Sequence, residues 1–168
     1  PAVNQLAYSL LFRAIEHEIL PACQAEDVPV ACYSPLMQGL LTGKFAGADE
    51  VPDGRARTRL YSSERPQARH GEAGAEAEVF RAVGEIGKLA DEAGLDMARM
   101  SLAWLLGRGG VASVVVGARN AEQARSNAAA GDLRLPGDVV SRLEEITDPV
   151  KSKLGPNPDL WQRDSRIR

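Results

Sequence analysis

Two stretches of this chain mix glycine, hydroxyl, amide and cationic side chains at short spacing. That mixture suits a flat, phosphorylated ligand. The first is Tyr33-Ser-Pro-Leu-Met-Gln-Gly-Leu-Leu-Thr-Gly-Lys44. A tyrosine ring at a strand end stacks on a heteroaromatic group. Ser34 and the N–H groups around Gly39 face phosphate oxygens, with Pro35 and Leu36 in the turn between them and Lys44 supplying positive charge. Glycine there permits close backbone approach. The competing reading is a plain turn with a core tyrosine. Arg55, Arg57 and Arg59 follow as a basic cluster, which reads as a solvated loop with one arginine available to cover an anion. The second stretch is Val116-Gly-Ala-Arg-Asn120. A glycine turn at a helix N-terminus offers free N–H groups and the positive end of the helix dipole to an anion. Arg119 there grips a phosphate or stacks on adenine. Gln123 and Asn127, four residues apart, share a helical face and reach the same purine. A capping box with Asn120 is the alternative use of Gln123. Asn4-Gln5 ends a short strand-like segment, and a glutamine carboxamide pairs with another carboxamide such as that of nicotinamide, or simply with backbone.

These residues need elements to hold them. Ala2 to Gln5 reads as a strand. Ile15, Ile19, Leu20 and Cys23 then repeat at helical spacing, with Pro21 kinking or shortening the helix. Val28 to Tyr33 is a buried strand. Residues 34–75 form a long loop, functional or mobile, with a surface hinge at Gly71 to Gly74. Helices follow over Glu76 to Ala93, with Gly94 as C-cap, and over Met97 to Arg108, capped by Asp96. Val111 to Val116 is a strand apolar on both faces, as expected under helices. Asn120 caps a helix to about Ala130, and Pro136 to Thr147 makes another. The tail, 148–168, is polar, with Leu160 and Trp161 as anchors. Strands alternating with helices predict an α/β fold with parallel strands and right-handed crossovers.

The 168 residues allow one ordinary domain, and 44% hydrophobic content supports a core. A net charge of −3 argues against a nucleic-acid partner. No apolar run reaches the roughly 18 residues of a membrane span. Cys23 and Cys32 read as reduced, buried thiols of a cytoplasmic protein. His17 and His70 read as surface residues, and no metal-ligand spacing or Ser-His-Asp arrangement can be assembled. Pro1 opens directly on a strand-like segment, which predicts a chain cut from something longer.

Taken together, the motifs resemble those of the aldo-keto reductases. The blocks that match in order are Val3-Asn-Gln5 with Tyr8-Ser-Leu-Leu-x-Arg13, then Tyr33 to Lys44, then Val115-Val-Gly-Ala-Arg-Asn-Ala-Glu-Gln123 with Asn127. The Ser101-Leu-Ala-Trp-Leu-Leu106 helix is also similar, and the resemblance covers about residues 1 to 150. It implies part of a (β/α)8 TIM barrel: the C-terminal portion, with strands six to eight, over 1–168. It implies NADPH, or NADH, as cofactor. Gln5 would hold the nicotinamide carboxamide and Tyr33 would stack on its ring. Ser34, Pro35, Leu36, Gly39 and Lys44 would line the pyrophosphate, with Arg55 closing over it. Gly117 and Arg119 would meet the adenosine ribose and its phosphate; Gln123 and Asn127 would bind adenine. Gly117-Ala-Arg119 departs from the Lys-Ser pair of many members. The family's catalytic Tyr, Asp, Lys and His lie on early strands and match nothing here. The resemblance thus implies a piece of a carbonyl reductase, inactive alone, whose parent reduces a small aldehyde or ketone. An open barrel edge predicts self-association. The alternative reading is a non-catalytic nucleotide-binding module, like the channel-associated subunits of the family.

Overall fold

Short β-rich segments separated by long helical ones cannot form hairpins, so they pair in parallel through crossovers. The computed structural model, which describes residues 2–161, has this arrangement. Strands β1 (Asn4–Ala7), β2 (Val30–Tyr33) and β3 (Val111–Val114) form one parallel sheet in that order. The helices are α1 (Ile19–Ala25), α2 (Glu76–Glu92), α3 (Met97–Leu106), α4 (Ala121–Ala129) and α5 (Gly137–Leu154). Helix α3 packs on β3, and α2 packs on both α3 and α5.

Local chemistry sets most of the boundaries. The periodic stretch from Ile15 divides into a single 3₁₀ turn, Ala14–Glu16, and α1. Pro21 occupies the first turn of α1, where no intrahelical N–H bond is required of it. Gly94 ends α2 with φ +64, and Leu95 N–H donates back to Ala90 O at 2.9 Å. Asp96 caps α3 through Arg99 N–H at 2.9 Å, and Asn120 caps α4 through Gln123 N–H at 2.8 Å. Helix α5 runs one to two turns past the expected Thr147, through Pro149. Its last turns bury Val150 and Leu154. The Glu144 carbonyl, five residues before the proline, accepts from Arg13 Nη1 at 3.0 Å.

The two faces of the sheet differ. Leu6, Val30 and Cys32 point to the helices and are buried, and burial pushes the Cys32 thiol up to about 12. On the other face Gln5 and Ser113 are exposed, Tyr33 is half-buried, and the neighbouring Val115 is 53% exposed. This corrects the expectation that the third strand is covered on both sides. β3 is an edge strand of four residues, and among the described residues nothing covers its second face. Gln5 is corrected too. The strand continues through Leu6 and Ala7, so Gln5 sits level with Ala31, below the carboxyl end that Ala7 and Tyr33 define.

Much of the long loop is packed. Ala56, Thr58, Leu60 and Tyr61 are buried, and so is Arg59, which the sequence reading had in solvent. His70 is buried as well, with Nε2 3.0 Å from Thr58 O and Nδ1 accepting from Glu72 N–H at 3.4 Å. The Gly71–Gly74 segment is no free hinge. Gly74 has φ +74, and a Cβ there would lie 2.1 Å from Tyr61 O. Cys23 and Cys32 are buried free thiols, and His17 is exposed.

The motif Tyr8 to Arg13 builds a buried polar cluster. Tyr8 donates its hydroxyl to Glu16 Oε1 at 2.7 Å. Arg13 grips Glu16 with both arms of its fork, at 2.9 and 2.8 Å, and Lys151 Nζ adds a third cationic contact at 2.8 Å. Burial alone would raise the Glu16 carboxyl, but hydrogen bonds from Arg13, Lys151 and Tyr8 outweigh it and hold it at about 2. The cluster welds the chain after β1 to α5.

Candidate functional site

In parallel α/β sheets, ligands gather at the carboxyl ends of the strands, where loops run into helix N-termini. Here the end of β2 and the end of β3 face each other across a cleft of about 720 Å³. One wall carries Ser34, Pro35, Leu36, Gly39, Lys44 and Arg55. The other carries Gly117, Arg119, Gln123 and Asn127. Gln5 and Tyr33 do not line it. Both lie on the face of the sheet opposite Leu6 and Cys32, and of the two Tyr33 adjoins the cleft, through Ser34.

The first wall is a strained turn. Ser34, Met37 and Gln38 have φ of 55, 42 and 50, left-handed values that cost a non-glycine residue about 1–3 kcal/mol each. Burial of Met37, Leu40 and Leu41 and the bonds Met37 N–H to Ser34 O (3.1 Å) and Gly39 N–H to Leu36 O (2.9 Å) hold the turn closed. Gly39 is required by its backbone, and any side chain there would also push Lys44 aside. Its φ is +98, and a Cβ would lie 2.5 Å from Lys44 Nζ, which crosses directly over it.

The cleft is electrically one-sided. Lys44, Arg55 and Arg119 converge on it, and among the described residues none forms an ion pair with a carboxylate. Partial burial and then the charges of Arg55 and Arg119 hold the Lys44 ammonium below its ordinary value. Asp96 also lines the cleft, but its carboxylate caps α3. Arg55 reaches Gln38 O at 3.5 Å. On the second wall, Gln123 Oε1 accepts from Arg119 N–H at 2.9 Å, a relative of the capping box, and Asn127 Nδ2 donates to Gly117 O at 3.2 Å. These amides are therefore engaged with backbone, and a purine would compete for them.

Sequence reasoning missed Met37, Gln38, Thr42 and Ser126, which also line the cleft. Ser126 was findable, since it shares the helical face of Gln123 and Asn127. Met37 and Gln38 were not, because bulky residues give no signal for a left-handed backbone.

A model of the aldo/keto reductase family matches residues 1–148. This chain belongs to that family. It is 29% identical over 149 residues to the NADH-specific methylglyoxal reductase of Escherichia coli (strain K12), covering 89% of this chain and 43% of the relative. It is 32% identical over 146 residues to Protein tas of the same bacterium, covering 84% and 38%. A third relative, "Probable voltage-gated potassium channel subunit beta" of Oryza sativa subsp. japonica, is 30% identical over 156 residues, covering 91% and 45%. This aldo/keto reductase chain thus spans less than half the length of these relatives. No helix among the described residues is long and apolar enough to cross a membrane.

Proposed function

We propose that these residues are the C-terminal part of a (β/α)8 reductase barrel and hold the phosphate-bearing part of a nicotinamide dinucleotide. The observation that carries this reading is the convergence of Lys44, Arg55 and Arg119, none ion-paired to a carboxylate among the described residues, at the N-terminal end of α4. Three uncompensated cations in a cleft favour a polyanion. When bound, a reduced nicotinamide supplies hydride to a carbonyl carbon. The chain's own residues bind and orient. Lys44, Arg55 and the turn around Gly39 take the pyrophosphate, and Arg119 takes the adenosine phosphate. Tyr33, half-buried beside Ser34, offers its ring to the nicotinamide, and Gln5 lies on the same sheet face. Gln123 and Asn127 exchange their backbone bonds for adenine. Arg119 favours NADPH, while the relative named NADH-specific keeps NADH open. In this reading the proton donor for the carbonyl comes from the other half of the barrel, and residues 1–168 alone bind without turnover.

The relatives named as potassium channel subunits support a second reading, a nucleotide-binding subunit whose partner is another protein. One experiment addresses both. The full-length protein is titrated with NADPH, following nicotinamide fluorescence, and then given methylglyoxal. Binding with turnover supports the reductase, and binding without turnover supports the subunit. A protein that binds neither NADPH nor NADH removes the cleft from both readings.

A further inference from the structure

The three arginines at 55, 57 and 59 do different work. Arg55 faces the cleft. Arg57 lies over the ring of Trp161, its guanidinium carbon 5.2 Å from the centroid. Arg59 is buried, and its fork is spread over the C-terminal segment: Nη2 donates to Leu154 O at 2.8 Å, and Nη1 to Asn157 O at 2.8 Å and Asp159 O at 3.1 Å. Nε pairs with Glu72 Oε2 at 2.8 Å, which neutralises the charge, and the Arg59 backbone N–H donates to Leu160 O at 2.9 Å. Leu160 is fully buried against this knot. Between Arg55 and Arg59 the chain has little slack. Ala56 and Thr58 are buried, and the N–H groups of Arg55 and Ala56 both close on Pro52 O, at 2.7 and 3.1 Å.

We infer that Arg59 is a positioning residue: by tying residues 154–160 to the long loop it fixes Arg55 on the cleft wall. Only Arg supplies this many in-plane donors; a lysine keeps the charge beside Glu72 but cannot span three carbonyls. The C-terminal segment thereby becomes part of the anion site without touching it. Burial and the charge of Asp159 both push the Tyr33 phenol up, so the same segment is felt at the end of β2, beside Ser34 of the same wall. The consequence for ligand affinity rests on the nucleotide reading above; the tie itself does not.

The test uses the full-length protein with Arg59→Lys and Arg59→Met, each in the native background and with Arg55→Met. Hydrogen exchange is followed at residues 52–60 and 154–161 without ligand, and NADPH affinity by fluorescence. The expected result is faster exchange in both segments and about tenfold weaker NADPH binding, the size of one charge-assisted bond. In the Arg55→Met background the same substitutions should change affinity less than about twofold, because coupled residues are not additive. Equal losses in both backgrounds would mean that Arg59 acts on stability alone and would overturn the inference. So would unchanged exchange at 52–60. If the native protein binds no dinucleotide, the nucleotide reading fails, and exchange alone decides the tie. Should Arg59→Met not fold, Arg59→Lys carries the same comparison.

Discussion

The molecule uses its cations in two opposite ways. Around Glu16, Arg13 and Lys151 meet a carboxylate at 2.8 Å inside the fold, and every charge has its counterpart. Around the cleft, Lys44, Arg55 and Arg119 face one another, and among the described residues the one carboxylate lining it is a capping aspartate. The first arrangement satisfies itself and gains nothing from a ligand. The second is repulsive until an anion arrives. Residue type cannot separate the two; what distinguishes them is whether the chain brings its own acid.

That contrast is open to attack at several points. The largest effect is expected from Glu16→Ala, which removes the fork-to-fork partner of buried Arg13, leaving it to the half-exposed carboxylate of Asp148, and takes the acceptor from Lys151 and Tyr8. Loss of one partner from a buried pair costs about 3–5 kcal/mol, to be read in urea unfolding. A loss below about 1 kcal/mol would show that the cluster is not structural. Acid should act through the same group. The folded carboxyl sits at about 2 against an ordinary 4.5. A depressed value adds stability above the unfolded value and loses it as pH falls through the folded one. On the order of 3 kcal/mol should therefore drain away between about pH 4.5 and 2, and Glu16→Gln should flatten that part of the profile. Arg119→Ala should leave unfolding unchanged within about 0.5 kcal/mol, yet weaken a 2′-phosphorylated adenine nucleotide about 10–100-fold. A calorimetric titration that finds equal affinity removes Arg119 from the site. The smallest effect is expected at Arg142, whose pair with Glu92 lies at 2.8 Å but half-exposed. Arg142→Ala should cost less than about 0.5 kcal/mol in the same urea series, and a larger cost would blur the distinction between buried and surface pairs.

The elements whose signals are local were legible in the sequence. The caps at Asp96 and Asn120 and the glycine stop at Gly94 are each a few residues long, and all three have the expected form. The cleft was legible because its two walls each carry glycine and cation within a dozen residues. What escaped was set by distant partners. Arg59 looks like any loop arginine until Glu72 and residues 154–160 close on it. His70 depends on Thr58. Helix α5 outruns Pro149 because Val150 and Leu154 find a core that no local window contains. β3 was read as covered because its residues are apolar, yet composition does not say whether a neighbour is there to cover them.

The order of the strands also has a consequence in time. β2 and β3 pair from Val30 and Val111, about 80 residues apart. At a synthesis rate of ~5–20 residues per second, β2 waits ~4–16 s on the ribosome for its neighbour. Lys44 and Arg55 are made early in that interval, and Arg119 only after it. A ligand that needs both walls therefore cannot be held by a nascent chain, and any help it could give to folding would begin only once α4 has left the exit tunnel.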